Sequence, residues 1–62
     1  MVDNNVKKYR QAAGLTLSQL AERSGIPVTT IYDIEQGAEP RVVTALAHAR
    51  ALKVSVEKLW NV

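Results

Sequence analysis

The run Thr16-Leu17-Ser18-Gln19 has the pattern of a capping box, in which the Thr16 hydroxyl accepts from the Gln19 amide while the Gln19 side chain reaches back to the Thr16 N–H. Leu15 and Leu20 flank it at the two staple positions, so a helix must begin here. It ends soon after. Leu20, Ala21 and Ser24 form its inward stripe, and Gly25 supplies the left-handed residue on which a helix stops without steric cost. Ile26-Pro27 follows, and proline pushes the residue before it into an extended conformation while being tolerated at the first position of a new helix. The next helix then runs to Gln36, with Ile31 and Ile34 inward. Two short helices joined by a turn of about three residues constrain the rest of the chain severely.

Around that centre the punctuation is regular. Gly14, Gly25 and Gly37 each follow an amphipathic stretch, so three helix ends are marked. The pattern predicts helices over about 4–13, 17–24, 28–36, 41–52 and 56–61. The first has Asp3 or Asn4 as candidate N-cap and places Val6, Tyr9, Arg10 and Ala13 on one face. Pro40 separates the third helix from the fourth, whose apolar positions are Val42, Ala45, Leu46, Ala49 and Leu52. On that phase His48 falls off the apolar stripe and is expected at the surface. Ser55 is placed to cap the last helix, with Glu57 in its first turn and Leu59 and Trp60 supplying bulk. The fold class is therefore all-α, a compact five-helix bundle.

With 62 residues and no cysteine, the chain has neither disulfides nor thiolate sites to staple it, and a helical core must suffice. No metal site is expected, because His48 has no companions at ligand spacing. Enzymatic work is not expected either, since no nucleophile and base pair or phosphate loop is present. No cofactor or small-molecule ligand is called for. Every apolar run is interrupted well before membrane-spanning length, and the first residues lack a signal-peptide pattern. These features predict one domain over residues 1–62, a cytoplasmic setting and no membrane partner. The net charge of +2 leans only slightly toward an acidic partner.

The set Gly14-Leu15-Thr16, Leu20-Ala21-Glu22, Gly25-Ile26, Thr30-Ile31 and Ile34-Glu35-Gln36-Gly37 resembles the Cro/phage-repressor family, also called Xre-type regulators. The tail from Ala49 to Leu59 is similar to the fourth and fifth helices of that family, so the resemblance covers nearly the whole chain. It implies the lambda-repressor-like five-helix fold, with the helix-turn-helix in helices two and three. It also implies a transcriptional regulator, expected to be a repressor, that binds double-stranded DNA as a homodimer. Helix three would enter the major groove. Arg10 would pair with Glu35 inside the bundle.

Carried onto this chain, the base-facing positions are Val28, Thr29, Thr30, Tyr32 and Asp33, and the phosphate-facing ones are Thr16, Leu17, Ser18, Gln36 and Arg41. The family commonly has long polar or basic side chains at positions 17, 28, 29 and 33; here stand Leu17, Val28, Thr29 and Asp33. Their chemistry predicts methyl contacts to thymine from Val28 and the threonines, and acceptance from a cytosine amino group by Asp33. Tyr32 can reach sugar or phosphate. Over this face Arg41 is outnumbered by Asp33 and Glu39, so phosphate anchoring must come from helix N-termini. Leu17 is either a partner contact or an ordinary exposed leucine. Lys7, Lys8, Arg23, Lys53 and Lys58 are expected on solvated faces. Val56, Trp60 and Val62 crowd the last helix, with Trp60 either at the core or, with its neighbours, at a dimer contact. The alternative function is a helix-turn-helix module of the antitoxin or anti-repressor kind that turns the same face to a protein.

Overall fold

A computed structural model describes residues 3–60. Five helices follow in order: α1 Val6–Ala12, α2 Leu17–Ser24, α3 Val28–Glu35, α4 Val42–Leu52 and α5 Val56–Leu59. No strand occurs among the described residues. The all-α five-helix expectation holds, with ends displaced by a residue or two. Pro27 is the N-cap of α3 rather than its first residue, because its ψ of 145° is extended. α5 stops at Leu59, where Trp60 leaves the helix at φ −118° and ψ 107°. The expected last residue of that helix, position 61, lies outside the described residues.

α2 begins as its capping box requires. The Gln19 N–H donates to the Thr16 hydroxyl at 3.1 Å, and the Thr16 N–H donates to Gln19 Oε1 at 2.9 Å. Leu15 and Leu20 are both buried, and Gly25 closes the helix in the left-handed region at φ 75°. α2 packs on both α3 and α4, while α4 also packs on α5. Leu20, Ile31, Leu59 and Val6 form the most deeply buried apolar group.

The start of α1 is built differently from expectation. Asn5, not Asp3 or Asn4, holds the cap position. Asn4 serves both neighbours instead: its Oδ1 accepts from the Val6 N–H at 3.0 Å, and its Nδ2 donates to the Ile34 carbonyl at 2.7 Å. Asn5 donates its backbone N–H to the Leu59 carbonyl at 2.7 Å and its Nδ2 to the Lys58 carbonyl at 3.1 Å. Two adjacent amides thus tie α1 to the ends of α3 and α5. Ala13, expected inward, is exposed, because α1 ends before it.

α4 keeps its expected inward residues Ala45, Ala49 and Leu52 but departs from expectation at three other positions. Val42 is 77% and Leu46 43% exposed, while His48, expected at the surface, is fully buried. Both sides of this helix are apolar, so periodicity alone does not choose between them. The side chosen carries Ala45, Ala49 and Leu52, and α4 packs on α2 and α5. The His48 ring fills the remaining space, edge to face with Trp60 at 6.0 Å between ring centres and 89° between planes. Its Nδ1 lies 2.8 Å from the Thr44 carbonyl. A carbonyl can only accept, so Nδ1 carries the hydrogen. Nε2 of His48 and Nε1 of Trp60 have no partner among the described residues. α4 then ends on Lys53 in the left-handed region at φ 58°. There the Val54 N–H bonds the Ala49 carbonyl at 3.1 Å, the long closing bond of a Schellman motif.

Two substitutions test these features in urea-unfolding experiments. An unpaired buried acceptor costs about 1–3 kcal/mol, so His48→Leu is expected to stabilise the fold even though it also removes the Thr44 contact. Lys53→Gly removes the left-handed penalty of a side-chain-bearing residue, offset by glycine's larger loss of freedom, for an expected gain of roughly 0.5–1 kcal/mol.

Candidate nucleic-acid interface

α3 starts on an extended Pro27 and carries no side-chain cap, so the first N–H groups of the helix have no intrahelical acceptor. Ile31 and Ile34 bury one side of it. Val28, Thr29, Tyr32 and Asp33 are exposed along the opposite edge, with Tyr32 half open to solvent. Thr30 is half-buried and belongs to a groove between α3 and α4. The outward edge is therefore made by four residues, with Thr30 set back from it.

The far end of α3 is held by charge. Nε of Arg10 donates to Glu35 Oε2 at 2.7 Å and Nη2 donates to Oε1 at 3.2 Å, a two-point fork. Nη1 of the same guanidinium donates to the Leu15 carbonyl at 2.8 Å. The two side chains are only 11% and 3% exposed, so the fork works in a poorly solvated setting where its geometry counts. Arg10 thereby ties α3 to α1 and to the loop that leads into α2. It presents no charge to the outside.

At the start of α2, Thr16 and Ser18 are exposed while Leu17 is half-buried and packs against the core. Leu17 is thus part packing residue, which narrows its value as a contact. The Thr16 N–H is consumed by the capping box; its hydroxyl hydrogen and the N–H groups of Leu17 and Ser18 are the donors that this end has to offer. Gln36 and Arg41 are exposed beyond α3. Arg41 caps α4 in an extended conformation and borders a hollow of about 230 Å³ also lined by Asp33 and Glu39. Beyond the end of α3, the structure brings Asp33, Glu39 and Arg41 around one hollow. The electrostatic balance there is slightly acidic.

Of the three residues expected at a subunit contact, Trp60 is 6% exposed and packed edge to face against His48, so it offers almost no surface. Val56 is half-buried against the core, and Val62 lies outside the described residues. The large exposed apolar groups lie instead on α3 and on the first half of α4, where Val42, Val43 and Leu46 stand open. The sequence signal for them was a helix apolar on two sides.

Residues 6–59 match the helix-turn-helix family. The chain belongs to the Xre/Cro-like helix-turn-helix family. It is similar to the HTH-type transcriptional regulator SinR of Bacillus licheniformis, with 32% identity over 63 residues that cover 98% of this chain and 57% of that protein. The chain thus spans a little over half the length of the curated relative it matches. Its fold is similar to the solution structure of the N-terminal DNA-binding domain of the master biofilm-regulator SinR from Bacillus subtilis. The TM-score is 0.81 at 31% identity, over 95% of this chain and 88% of that one. The match spans all five helices, which places α2 and α3 as the helix-turn-helix of this Xre/Cro-like chain.

The clamp on α3 is open to a thermodynamic cycle. Breaking a buried pair by removing one partner costs about 3–5 kcal/mol, so Arg10→Met or Glu35→Leu alone is expected to lower unfolding free energy by that order. The double variant is expected to lose less than the two singles combined, with the shortfall read from urea midpoints.

Proposed function

We propose that this chain is a sequence-specific DNA-binding transcriptional regulator, acting as a repressor, that lays α3 in the major groove. The observation that carries it is the exposed edge Val28, Thr29, Tyr32 and Asp33 on an α3 clamped by the Arg10–Glu35 fork, in a helix-turn-helix frame similar to a DNA-binding domain. Val28 and Thr29 supply methyl groups suited to thymine, with Thr30 set back behind them, Asp33 an acceptor suited to the cytosine amino group, and Tyr32 a hydroxyl for sugar or phosphate. Thr16, Leu17 and Ser18 bring the amide end of α2 to phosphate, with Gln36 and Arg41 at the far margin. Such a site acts by occupancy and asks for no catalytic group or cofactor. It belongs in the compartment that holds the DNA, the cytoplasm. One domain of this size reads few bases, so two copies on half-sites about 34 Å apart are the working unit.

A second function is favoured by one observation, the excess of Asp33 and Glu39 over Arg41 on this face. A protein partner with a basic surface would fit it, and the helix-turn-helix would then be an interaction module.

DNA selected from a random pool, followed by fluorescence anisotropy across salt concentrations, separates the two. The expected result is a preferred sequence with paired half-sites and a shallow salt dependence, because few cations meet phosphate. Thr29→Lys is expected to steepen the logarithmic salt slope by about one, and Asp33→Ala to relax preference at a single base pair. Absence of any sequence preference at moderate salt defeats the DNA function.

A further inference from the structure

We infer that Asn4 is a positioning residue for the exposed edge of α3: its carboxamide fixes the backbone at the far end of that helix, and with it the placement of Tyr32 and Asp33. The inference rests on the proposed function for what that edge reads, and on hydrogen bonds alone for the hold itself.

Asn4 stands before α1 and is half-buried, yet its side chain serves two helices at once. Oδ1 accepts from the Val6 N–H at 3.0 Å, and Nδ2 donates to the Ile34 carbonyl at 2.7 Å. An N–H can only donate and a carbonyl only accept, so the two partners dictate which way the amide faces. A carboxamide fills both roles from one carbon; an ionised carboxylate can only accept. The next residue sets the anchor. The Asn5 N–H donates to the Leu59 carbonyl at 2.7 Å, so the Asn4 amide is aimed from a fixed point.

What it grips is the closing turn of α3. The Gly37 N–H donates to the same Ile34 carbonyl at 3.0 Å and the Ala38 N–H to the Asp33 carbonyl at 3.0 Å, with Gly37 at φ 108°. That pair of bonds is a Schellman closure, and Asn4 gives its Ile34 carbonyl a second donor. The Arg10 fork acts differently on the neighbouring residue, because it holds a Glu35 carboxylate with rotatable bonds between itself and the backbone. Asn4 holds the backbone directly. Asp33 and Tyr32 lie one and two residues from the gripped carbonyl, whereas Val28 lies about 9 Å away along the helix axis. Loss of the hold therefore displaces one end of the edge and leaves the other, which starts from Pro27, in place.

Asn4→Asp and Asn4→Ser separate this hold from the start of α1. Both keep an acceptor for the Val6 N–H; the carboxylate sets a second acceptor against the Ile34 carbonyl, and the serine hydroxyl is too short to reach it. Amide hydrogen exchange followed by NMR, without DNA, reads the hold alone. Exchange at Gly37 and Ala38 should quicken about tenfold in both variants while Leu20, in α2, stays as in the wild type. Fluorescence anisotropy on the DNA that the wild-type chain selects reads the consequence. Kd should rise about tenfold, with preference relaxed at the base pair beside Asp33 and kept at the one beside Val28. The salt slope of Asn4→Ser should not change, because no phosphate contact is lost. Asn4→Gln, with donor and acceptor on a longer arm, should recover part of both effects. Unchanged exchange at Gly37 and Ala38 overturns the inference. So does loosening that reaches Leu20 equally, which makes Asn4 a general stabiliser, or loosening confined to the turn with preference intact at every base pair. A wild-type chain without sequence preference defeats the proposed DNA function instead, and the exchange rates still decide the hold.

Discussion

Whatever α3 presents depends on the fork between Arg10 and Glu35. An eight-residue helix with no side-chain cap is marginal by itself, and its orientation must be imposed from outside. The guanidinium imposes it from three directions at once, holding both Glu35 oxygens and the Leu15 carbonyl. Asn4 adds a second hold on the same end through the Ile34 carbonyl. α1 therefore serves less as a surface than as a strap across the end of α3. An Arg–carboxylate fork suits this because its planar geometry resists rotation.

The same economy explains the unusual chemistry of the exposed edge. Two of the three cations from residue 1 to 31 beyond the strap, Lys7 and Lys8, sit on α1, and α3 itself carries none. In the proposed function, affinity for DNA accordingly draws on backbone amides at helix starts and on methyl contacts more than on cations.

Local signals made much of the fold legible. The capping box at Thr16, the stop at Gly25 and the proline restart at Pro27 act within a few residues, through hydrogen bonds and dihedral preferences that do not depend on the rest of the chain. Ile31 and Ile34 are inward for the same reason: α3 has only one apolar side. Four of the residues exposed along α3 follow directly from that phase. α4 was legible only in part: Ala45, Ala49 and Leu52 are inward as its stripe places them, while Val42, Leu46 and His48 are not where the stripe puts them. With valines, alanines and leucines on two sides, its period fits two rotations, and the neighbours decide between them. Nor did Asn4 and Asn5 announce their bonds, because a polar pair before a helix looks the same whether it faces water or distant carbonyls.

By itself the sequence determined, to within a residue or two, where helices start and stop, that the class is all-α, and that the edge of α3 carries methyl, phenol and carboxylate groups and no cation. Those are properties of adjacent residues. Tertiary structure alone decided that His48 goes inside and Val42, Val43 and Leu46 stay out. The buried side of α4 carries Ala45, Ala49 and Leu52, and Trp60 offers the imidazole ring an edge-to-face partner. Val42 and Leu46 were left on the surface because the inward side of α4 is already occupied by Ala45, Ala49, Leu52 and the His48 ring.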